Sequence, residues 1–186
     1  MSLMTEVLLE DLKRRTGFTE QHARLLQDLG RYMTPMASEV ALAFYDYLGR
    51  DPEMRAILWA VPGRVERLYG RFADWYRELF SGVYDEHYAE GRRRIGLIHA
   101  RLGIRPAFII PAMGIVQELS LEHMNLVLKA SELLAAVEAF EKIIAIELAI
   151  IQESYSEAVE AGIRAGMASG ETALMQGAEL LLREKV

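Results

Sequence analysis

The sequence has no cysteine, few prolines and almost no signals for β-structure. The lack of cysteine excludes disulfides, thiolate metal ligands and thiol catalysis. No Asn-Gly or Asp-Gly hairpin turn occurs, and no long stretch alternates apolar and polar residues, so strands are not expected. A net positive charge is also lacking, because 27 acidic residues outnumber 21 lysines and arginines and the formal net charge is −6. This charge argues against a general role in binding nucleic acid or an anionic membrane.

Long hydrophobic runs and standard catalytic motifs are missing as well. The uncharged run at residues 106–117 is too short to span a bilayer and contains two prolines. The N-terminal segment MSLMTEVLLEDLKRR has early acidic residues and only a short apolar run, which is unlike a signal peptide. The expected location is therefore the cytoplasm. HExxH, GxSxG, Walker A and GxGxxG motifs do not occur, so no hydrolase or nucleotide site is predicted from a motif.

What the sequence does have is a series of helix boundaries. Thr19 precedes an apolar-periodic stretch that is expected to end at Gly30, and Thr34-Pro35 is expected to start the next helix. Together the boundaries predict an all-α domain of about 160 residues with about seven or eight helices. Five further helix starts are predicted, at Asp51-Pro52, Val61-Pro62, Asp85, Pro106 and Ser131.

Two segments are harder to interpret. The run IIAIELAII, residues 143–151, is apolar nearly all round and is broken only by Glu147. Such a helix must be covered on more than one side, by its own domain, by a partner subunit or by both. The run Arg92-Arg93-Arg94 is interpreted as a solvated helix start, with an anionic partner as the alternative.

Beyond Tyr155 the chain becomes rich in alanine and glycine. One interpretation is a frayed tail, and the other is a helix that continues the last core helix and pairs with its twin in a second subunit. The second interpretation rests on alternating spacings of four and three between Ile163, Met167, Gly170, Leu174, Gly177 and Leu181.

The stretch RIGLIHARLGIRP, residues 94–106, places His99 on an apolar helical face. No carboxylate lies within one turn to pair with an imidazolium. One interpretation is a core histidine bonded to a backbone carbonyl. The other is an axial ligand of a flat cofactor, for which the bare Gly96 one turn away would leave room.

Three segments resemble the globin-coupled oxygen sensors: RIGLIHARLGIRPAFIIPAMG, WYRELFSGVYDEHY at 75–88 and AFYDYL at 43–48. The resemblance covers roughly residues 15–158. It implies a globin-like fold of the sensor-globin variant with an extended C-terminal helix, and a bound haem b. It also implies a sensor domain at residues 1–158, with residues 159–186 as a helical connector to an output module absent from this sequence.

The same resemblance implies roles for individual residues. His99 matches the proximal iron ligand, and Tyr45 matches the distal tyrosine whose hydroxyl can donate to bound O₂. The sequence departs from some family members in having Arg71 in place of a distal hydroxyl and Ile109 in place of a proximal tyrosine. The remaining residues expected to contact haem, several of which could equally be plain core, are Phe44, Leu68, Arg71, Phe72, Gly96, Phe108 and Met113.

The function predicted from this resemblance is a non-enzymatic haem-binding sensor of O₂, with CO and NO as further ligands. It would act as a homodimer joined through the last two core helices as a four-helix bundle. One alternative is a cofactor-free globin-fold module for signalling interactions. Another is a stand-alone globin that turns over nitric oxide or peroxide, which would need an electron source for which no flavin or nicotinamide motif is present.

Overall fold

The computed structural model describes residues 3–166 and 171–183, and within these ranges every regular element is helical. No helix among the described residues is long and apolar enough to cross a membrane. One short 3₁₀ turn, Thr34–Met36, joins the second and third helices. The α-helices are α1 (Leu3–Thr16), α2 (Glu20–Met33), α3 (Ala37–Leu48), α4 (Pro52–Leu58), α5 (Arg64–Glu78), α6 (Glu86–Arg101), α7 (Pro106–Val127), α8 (Ala130–Arg164) and α9 (Glu171–Arg183).

The predicted starts of α4 and α6 are confirmed, because their capping residues act as expected. Asp51 accepts hydrogen bonds from the amide groups of Glu53 and Met54, at 2.9 and 3.0 Å. Asp85 accepts one from the amide of Tyr88 at 2.9 Å. Each bond satisfies an N–H group that the first turn of a helix leaves without an intrahelical partner.

The boundary predicted near residue 30 is wrong. Helix α2 continues past Gly30 to Met33 and passes through the 3₁₀ turn into α3. Thr34 is not an N-cap, because its hydroxyl donates to the carbonyl oxygen of Gly30 at 2.8 Å. A β-carbon at the buried Gly30 would lie 3.2 Å from the carbonyl oxygen of Phe80. This glycine therefore allows close packing and does not reverse the chain.

Other predicted helices form with shifted ends. Helix α5 begins at Arg64 because Gly63 has φ +72°, which interrupts the helix expected from Val61-Pro62. Helix α8 begins at Ala130, one residue before the predicted cap Ser131. The N-terminal helix α1 was not predicted at all.

The chain divides into two compact units, which are described separately. The first, called the histidine unit because it contains His99, comprises Met1–Gly17, Tyr84–Phe108 and Ile144–Val186. It is built from α1, α6, α9 and the larger part of α8. Helix α6 packs against α1 and α9.

The second, called the aromatic unit, comprises Phe18–Val83 and Ile109–Ile143. It contains α2 to α5, most of α7 and the start of α8. Helices α3 and α5 pack against each other. Its core includes the parallel rings of Phe80 and Phe140, whose centroids lie 5.9 Å apart.

The apolar run of α8 is covered by its own chain. The expectation that part of it needs a partner subunit to leave water is therefore wrong, although Leu148 stays half-buried. The isoleucines concerned are each at most 5% exposed: Ile143, Ile144, Ile146, Ile150 and Ile151.

The segment beyond Tyr155 also differs from the prediction, which was that it pairs with the same helix of a second subunit. Helix α8 does continue past Tyr155, as far as Arg164, and Gly166 follows with φ +77°. Helix α9 then packs on α8 of the same chain, because a β-carbon at Gly177 would overlap the backbone of Ala158. The prediction that this segment pairs with a second subunit is thus contradicted at Gly177. The face of α9 that carries Gly177 already contacts α8.

Two positions of the predicted seam, Met167 and Gly170, lie outside the described residues. Gly162 makes a second close approach between these helices, because a β-carbon there would overlap the backbone of Ala173. The domain boundary between residues 158 and 159 stays a prediction.

Candidate functional site

His99 lies in the last turn of α6, on the histidine unit. Its side chain is partly buried, and its Nδ1 atom is fully buried without a hydrogen-bond partner among the described residues. Of the two interpretations left open by the sequence, a histidine bonded through Nδ1 to a backbone carbonyl is therefore wrong. A buried polar atom without a partner is rare in folded proteins and calls for an explanation.

Burial also fixes the charge of His99. Loss of water around the ring lowers its pKa to about 4, well below the usual value of 6.5. The imidazole is therefore neutral at physiological pH. Neutral imidazole has a lone pair available for a metal, whereas imidazolium does not. No group of three or more histidine, aspartate or glutamate side chains that could hold a metal ion occurs within the described ranges.

Gly96 lies where α6 approaches α8. A β-carbon at this position would lie 2.7 Å from the β-carbon of Ser154 and 3.0 Å from the carbonyl oxygen of Ile151, both on α8. The missing side chain thus lets α6 approach α8 closely. The contact that the structure shows for Gly96 is with α8.

The basic cluster is also different from the solvated helix start expected from sequence. Arg92 is 2% exposed and donates through Nε to Oε1 of Glu147, which is fully buried, at 2.7 Å. Its guanidinium carbon lies 4.1 Å from the ring centre of Tyr88, whose hydroxyl donates to the same carboxylate oxygen. Arg93 pairs with Glu157 at 2.6 Å, and only Arg94 of the three arginines is exposed.

Tyr88 stays protonated within this cluster. Burial, followed by the nearby charge of Glu147, raises its pKa well above 10. The phenol is therefore a donor to the carboxylate at any physiological pH. The pairing explains why the apolar run of α8 contains one acid, a point that sequence reasoning missed because Arg92 and Glu147 lie far apart in the chain.

In the aromatic unit, three rings lie against the ring of Tyr45 on α3. Its ring meets those of Phe44 and Tyr69 edge-on, with centroids 5.3 and 5.2 Å apart. Phe72 of α5 lies 6.0 Å from Tyr45 and 4.5 Å from Phe44. Trp75 extends the cluster, 5.0 Å from Phe72. The structure thus brings together three predicted site residues, Phe44, Tyr45 and Phe72, and adds Tyr69, which the sequence reasoning did not select.

The hydroxyl of Tyr45 has an unusual environment. The residue is 7% exposed, and its hydroxyl forms no hydrogen bond with any part of the chain that the structure describes. Burial, and then the neighbouring Tyr69, raise its pKa above the usual value of 10. Tyr45 therefore holds a proton that is available to a ligand.

Comparison with known proteins identifies the relatives of this chain. The sequence profile of the Protoglobin family matches residues 5–161. The solved globin domain of the Geobacter sulfurreducens globin-coupled sensor is 31% identical, with a TM-score of 0.75. That match covers 80% of this chain and 97% of the other. The chain belongs to the protoglobin family.

Membership confirms the globin-like, all-helical fold expected from sequence. Protoglobins bind haem as a family. Two observations in this chain fit a bound haem. His99 offers a neutral imidazole whose Nδ1 has no partner in the described parts of the chain. Tyr45 offers a phenol whose proton is not committed elsewhere.

The remaining predicted residues of the protoglobin site are placed less favourably. Leu68 is half-buried on α5, whereas Arg71 is exposed and lies outside the aromatic cluster, so the structure does not support it as a distal group. Phe108 is half-buried beneath the guanidinium of Arg105, 5.0 Å from its ring centre. Met113 is buried in α7.

Proposed function

We propose that this protoglobin chain is a haem-binding sensor domain for O₂. The observation that carries the proposal is the neutral, buried imidazole of His99, whose Nδ1 has no partner in the described parts of the chain. A core histidine with a structural role would be expected to bond through both ring nitrogens or to reach water. A ligand to haem iron needs a neutral ring instead.

When bound, haem b would supply the iron at which a diatomic gas binds. His99 is the proposed iron ligand, and its low pKa keeps the ring from being protonated in competition with the metal. Gly96 holds α6 against α8, so that the helix carrying the ligand is firmly seated in the histidine unit.

Tyr45 is the proposed donor to the gas ligand, as the family resemblance implies. Phe44, Tyr69 and Phe72 hold its ring at fixed angles and exclude water from it. Its high pKa keeps the proton on the hydroxyl. A phenol donor at this position would favour O₂, which can accept a hydrogen bond when bound, over the less polar CO.

The first test is the absorption spectrum of the purified protein incubated with haem. We expect a Soret band that shifts between the reduced form and the O₂-exposed reduced form. His99→Ala should lose most haem retention, and the matched control His87→Ala, an exposed histidine on the same helix, should keep it. Equal haem retention by His99→Ala and the control would contradict the assignment of His99. A colourless wild-type protein would favour the alternative of a cofactor-free interaction module.

The second test is the rate of O₂ release. A hydrogen bond to a charge-bearing acceptor contributes about 1.5–3 kcal/mol, so Tyr45→Phe should release O₂ roughly 10- to 100-fold faster. CO release should change much less. Tyr47→Phe, a half-buried tyrosine of the same helix, is the control. Equal effects on both gases would assign Tyr45 a packing role only.

Homodimerisation through α7 and α8 is part of the proposal, but the residues that support it differ from those expected from the sequence. The isoleucines of α8 are covered within the chain, but Leu126 near the end of α7 and Leu134 near the start of α8 are each 80% exposed. Pairing of these helices with a second copy would remove the two leucines from water. Light scattering at micromolar concentration should show a dimer, and Leu134→Glu should give a folded monomer. A monomeric wild type would remove this part of the proposal.

In this proposal the domain senses and does not catalyse. Helix α8 carries the signal, because it packs against the helix of His99 and runs on to Arg164. A stand-alone globin with nitric oxide or peroxide chemistry is the remaining alternative. Rapid turnover of either substrate with an added electron donor would favour that alternative.

A further inference from the structure

Helix α9 lies outside the stretch that the Protoglobin profile matches, because that match ends at residue 161 and α9 begins at Glu171. It nevertheless packs on two helices of the histidine unit. One is α8, which α9 meets at Gly162 and Gly177, and the other is α6, the helix that carries His99. Helix α9 therefore covers the helix of the proposed iron ligand, although the family profile does not extend to it.

The fit between α9 and α8 is close on both sides. Each helix has an alanine one turn before a glycine, namely Ala158 and Gly162 on α8, and Ala173 and Gly177 on α9. A β-carbon at Gly177 would lie 2.6 Å from the amide nitrogen of Gly162 and would overlap the backbone of Ala158. A β-carbon at Gly162 would overlap the backbone of Ala173. An added methyl group on either glycine must therefore push the two helices apart.

This close fit buries little apolar surface. The buried residues among those described in α9 are Ala173, Gly177 and Ala178. The stabilisation from burial scales with the apolar area removed from water, so α9 is held more weakly than helices that bury larger side chains. A helix of 13 residues is also marginal in water without packing. The larger apolar residues of α9 are half-buried or exposed: Leu174, Met175, Leu180, Leu181 and Leu182.

A polar contact joins α9 to the end of α6. Arg101 donates through Nη1 to a carboxylate oxygen of Glu179 at 3.4 Å. Both side chains are partly exposed, so the pair contributes little stability. Its value is positional, because Arg101 lies in the last turn of α6 together with His99. Helix α9 thus reaches the turn that carries the proposed ligand.

Docking of α9 depends on the spacing of α6 and α8, since α9 contacts both helices. That spacing is set by the close approach at Gly96, where a β-carbon would lie 2.7 Å from the β-carbon of Ser154. Closely packed interfaces do not deform continuously and respond to small shifts by changing between discrete arrangements. A movement of α6 relative to α8 would therefore remove part of the surface on which α9 docks.

We propose that α9 is a releasable regulatory helix: it stays docked while α6 and α8 keep their present spacing, and it is released when α6 moves relative to α8. Release would uncover the face of α8 that carries Ala158 and Gly162. Docking and its dependence on α6 do not require haem. Only the further step, in which gas binding at His99 moves α6, rests on the proposed function.

The first test is hydrogen exchange of the α9 amides in the full, haem-free chain. Gly177→Ala should speed their exchange by about tenfold or more, because the new methyl group cannot fit against Ala158. Alanine favours the helix more than glycine does, so faster exchange would report release and not a weaker helix. Gln176→Ala, at an exposed neighbour, is the control and should leave exchange unchanged. Unchanged exchange in Gly177→Ala, or equal acceleration throughout the histidine unit, would overturn the proposal.

A second variant places the added methyl group on the other helix. Gly162→Ala should accelerate exchange in α9 as Gly177→Ala does, because the methyl group meets the backbone of Ala173. It also covers the case in which Gly177→Ala does not fold. Failure of both variants to fold would overturn the proposal, because a releasable helix is not required for the rest of the chain to fold.

The dependence on α6 is tested from a distance. Gly96→Ala adds a methyl group between α6 and α8, and it should speed exchange of the α9 amides by about fivefold or more. Gly91→Ala is the matched control, because nothing lies within 4 Å of its β-carbon. Local release depends on local docking and not on global stability, so a general loss of stability would not imitate the effect. Equal exchange of α9 in the two variants would overturn its dependence on α6.

The link to gas binding is tested in the reduced, haem-loaded wild type with and without O₂. Exchange of the α9 amides should differ by about fivefold between the two forms. Equal exchange in a protein with a normal haem spectrum would overturn this link. A wild type without a haem spectrum would instead contradict the proposed function, and exchange in the haem-free variants would still decide whether α9 is releasable.

Discussion

The buried polar groups of the two units differ in their partners. In the histidine unit Arg92 and Tyr88 pair with Glu147, whereas Nδ1 of His99 has no partner among the described residues. In the aromatic unit Tyr76 pairs with Ser120, whereas Tyr45 lies among rings and its hydroxyl has no partner in the described parts of the chain. Paired groups hold helices in register, whereas an unpaired donor stays available to a ligand.

The strongest way to break this comparison is to remove one partner of the buried ion pair. Glu147→Leu would leave the charge of Arg92 uncompensated, so the free energy of unfolding should fall by about 3–5 kcal/mol. Adding Arg92→Met should recover most of the loss, because neither charge then remains buried. Urea denaturation checks both variants. The control is Asp46→Ala, which breaks an exposed pair with Arg50 and should cost less than about 1 kcal/mol.

A loss of less than 1 kcal/mol in Glu147→Leu would contradict the view that the histidine unit depends on this pair. No recovery in the double variant would show that the two residues contribute through packing and not through their charges.

The pH dependence of stability in the haem-free protein tests the neutral state of His99. Its pKa of about 4 in the folded protein lies below the unfolded value of about 6.5. The unfolded state therefore binds more protons between these values, and stability falls as pH decreases from 6.5 to 4. The fall should be at most about 3 kcal/mol. His99→Leu should flatten the curve in this window, and an unchanged curve would contradict the burial of the ring.

Substitutions at two glycines of α6 test how closely this helix packs on α8. Gly96→Ala should destabilise the protein by about 1–3 kcal/mol, because the new methyl group meets Ser154 and the backbone of Ile151. Gly91→Ala is the matched control, since nothing lies within 4 Å of its β-carbon. That change should stabilise α6 by up to about 1 kcal/mol through helix propensity. Thermal unfolding measures the change in stability of both variants. Equal changes would contradict the close approach of α6 to α8.

The smallest expected effect comes from removing single hydroxyls in the aromatic unit. Tyr76→Phe breaks a bond to Ser120 and should cost about 1 kcal/mol of stability. Tyr45→Phe breaks no bond described by the structure, so the haem-free protein should lose nothing or gain slightly. A loss in Tyr45→Phe as large as that in Tyr76→Phe would mean that Tyr45 has a structural partner, and would remove the contrast between these two hydroxyls.

Much of the candidate site was accessible from the sequence because its signals are local. His99 on an apolar face, the caps Asp51 and Asp85, and the turn at Gly103 all depend on neighbours within one or two helical turns. The resemblance to sensor globins rested on patterns of the same kind, and the family assignment confirmed it. The roles of His99 and Tyr45 themselves stay predictions.

The sequence by itself determined the all-helical class, most helix starts and the choice of His99, because capping and helical periodicity act over a few residues. Only the tertiary structure decided that Gly96 faces Ser154, that Glu147 neutralises Arg92 and that Tyr155 reaches Ile104. These contacts join residues about 50 or more positions apart. Helical periodicity shows which face of a helix is apolar, but it does not show which helix covers that face. A glycine or a buried acid therefore acquires its role only when the helices have packed.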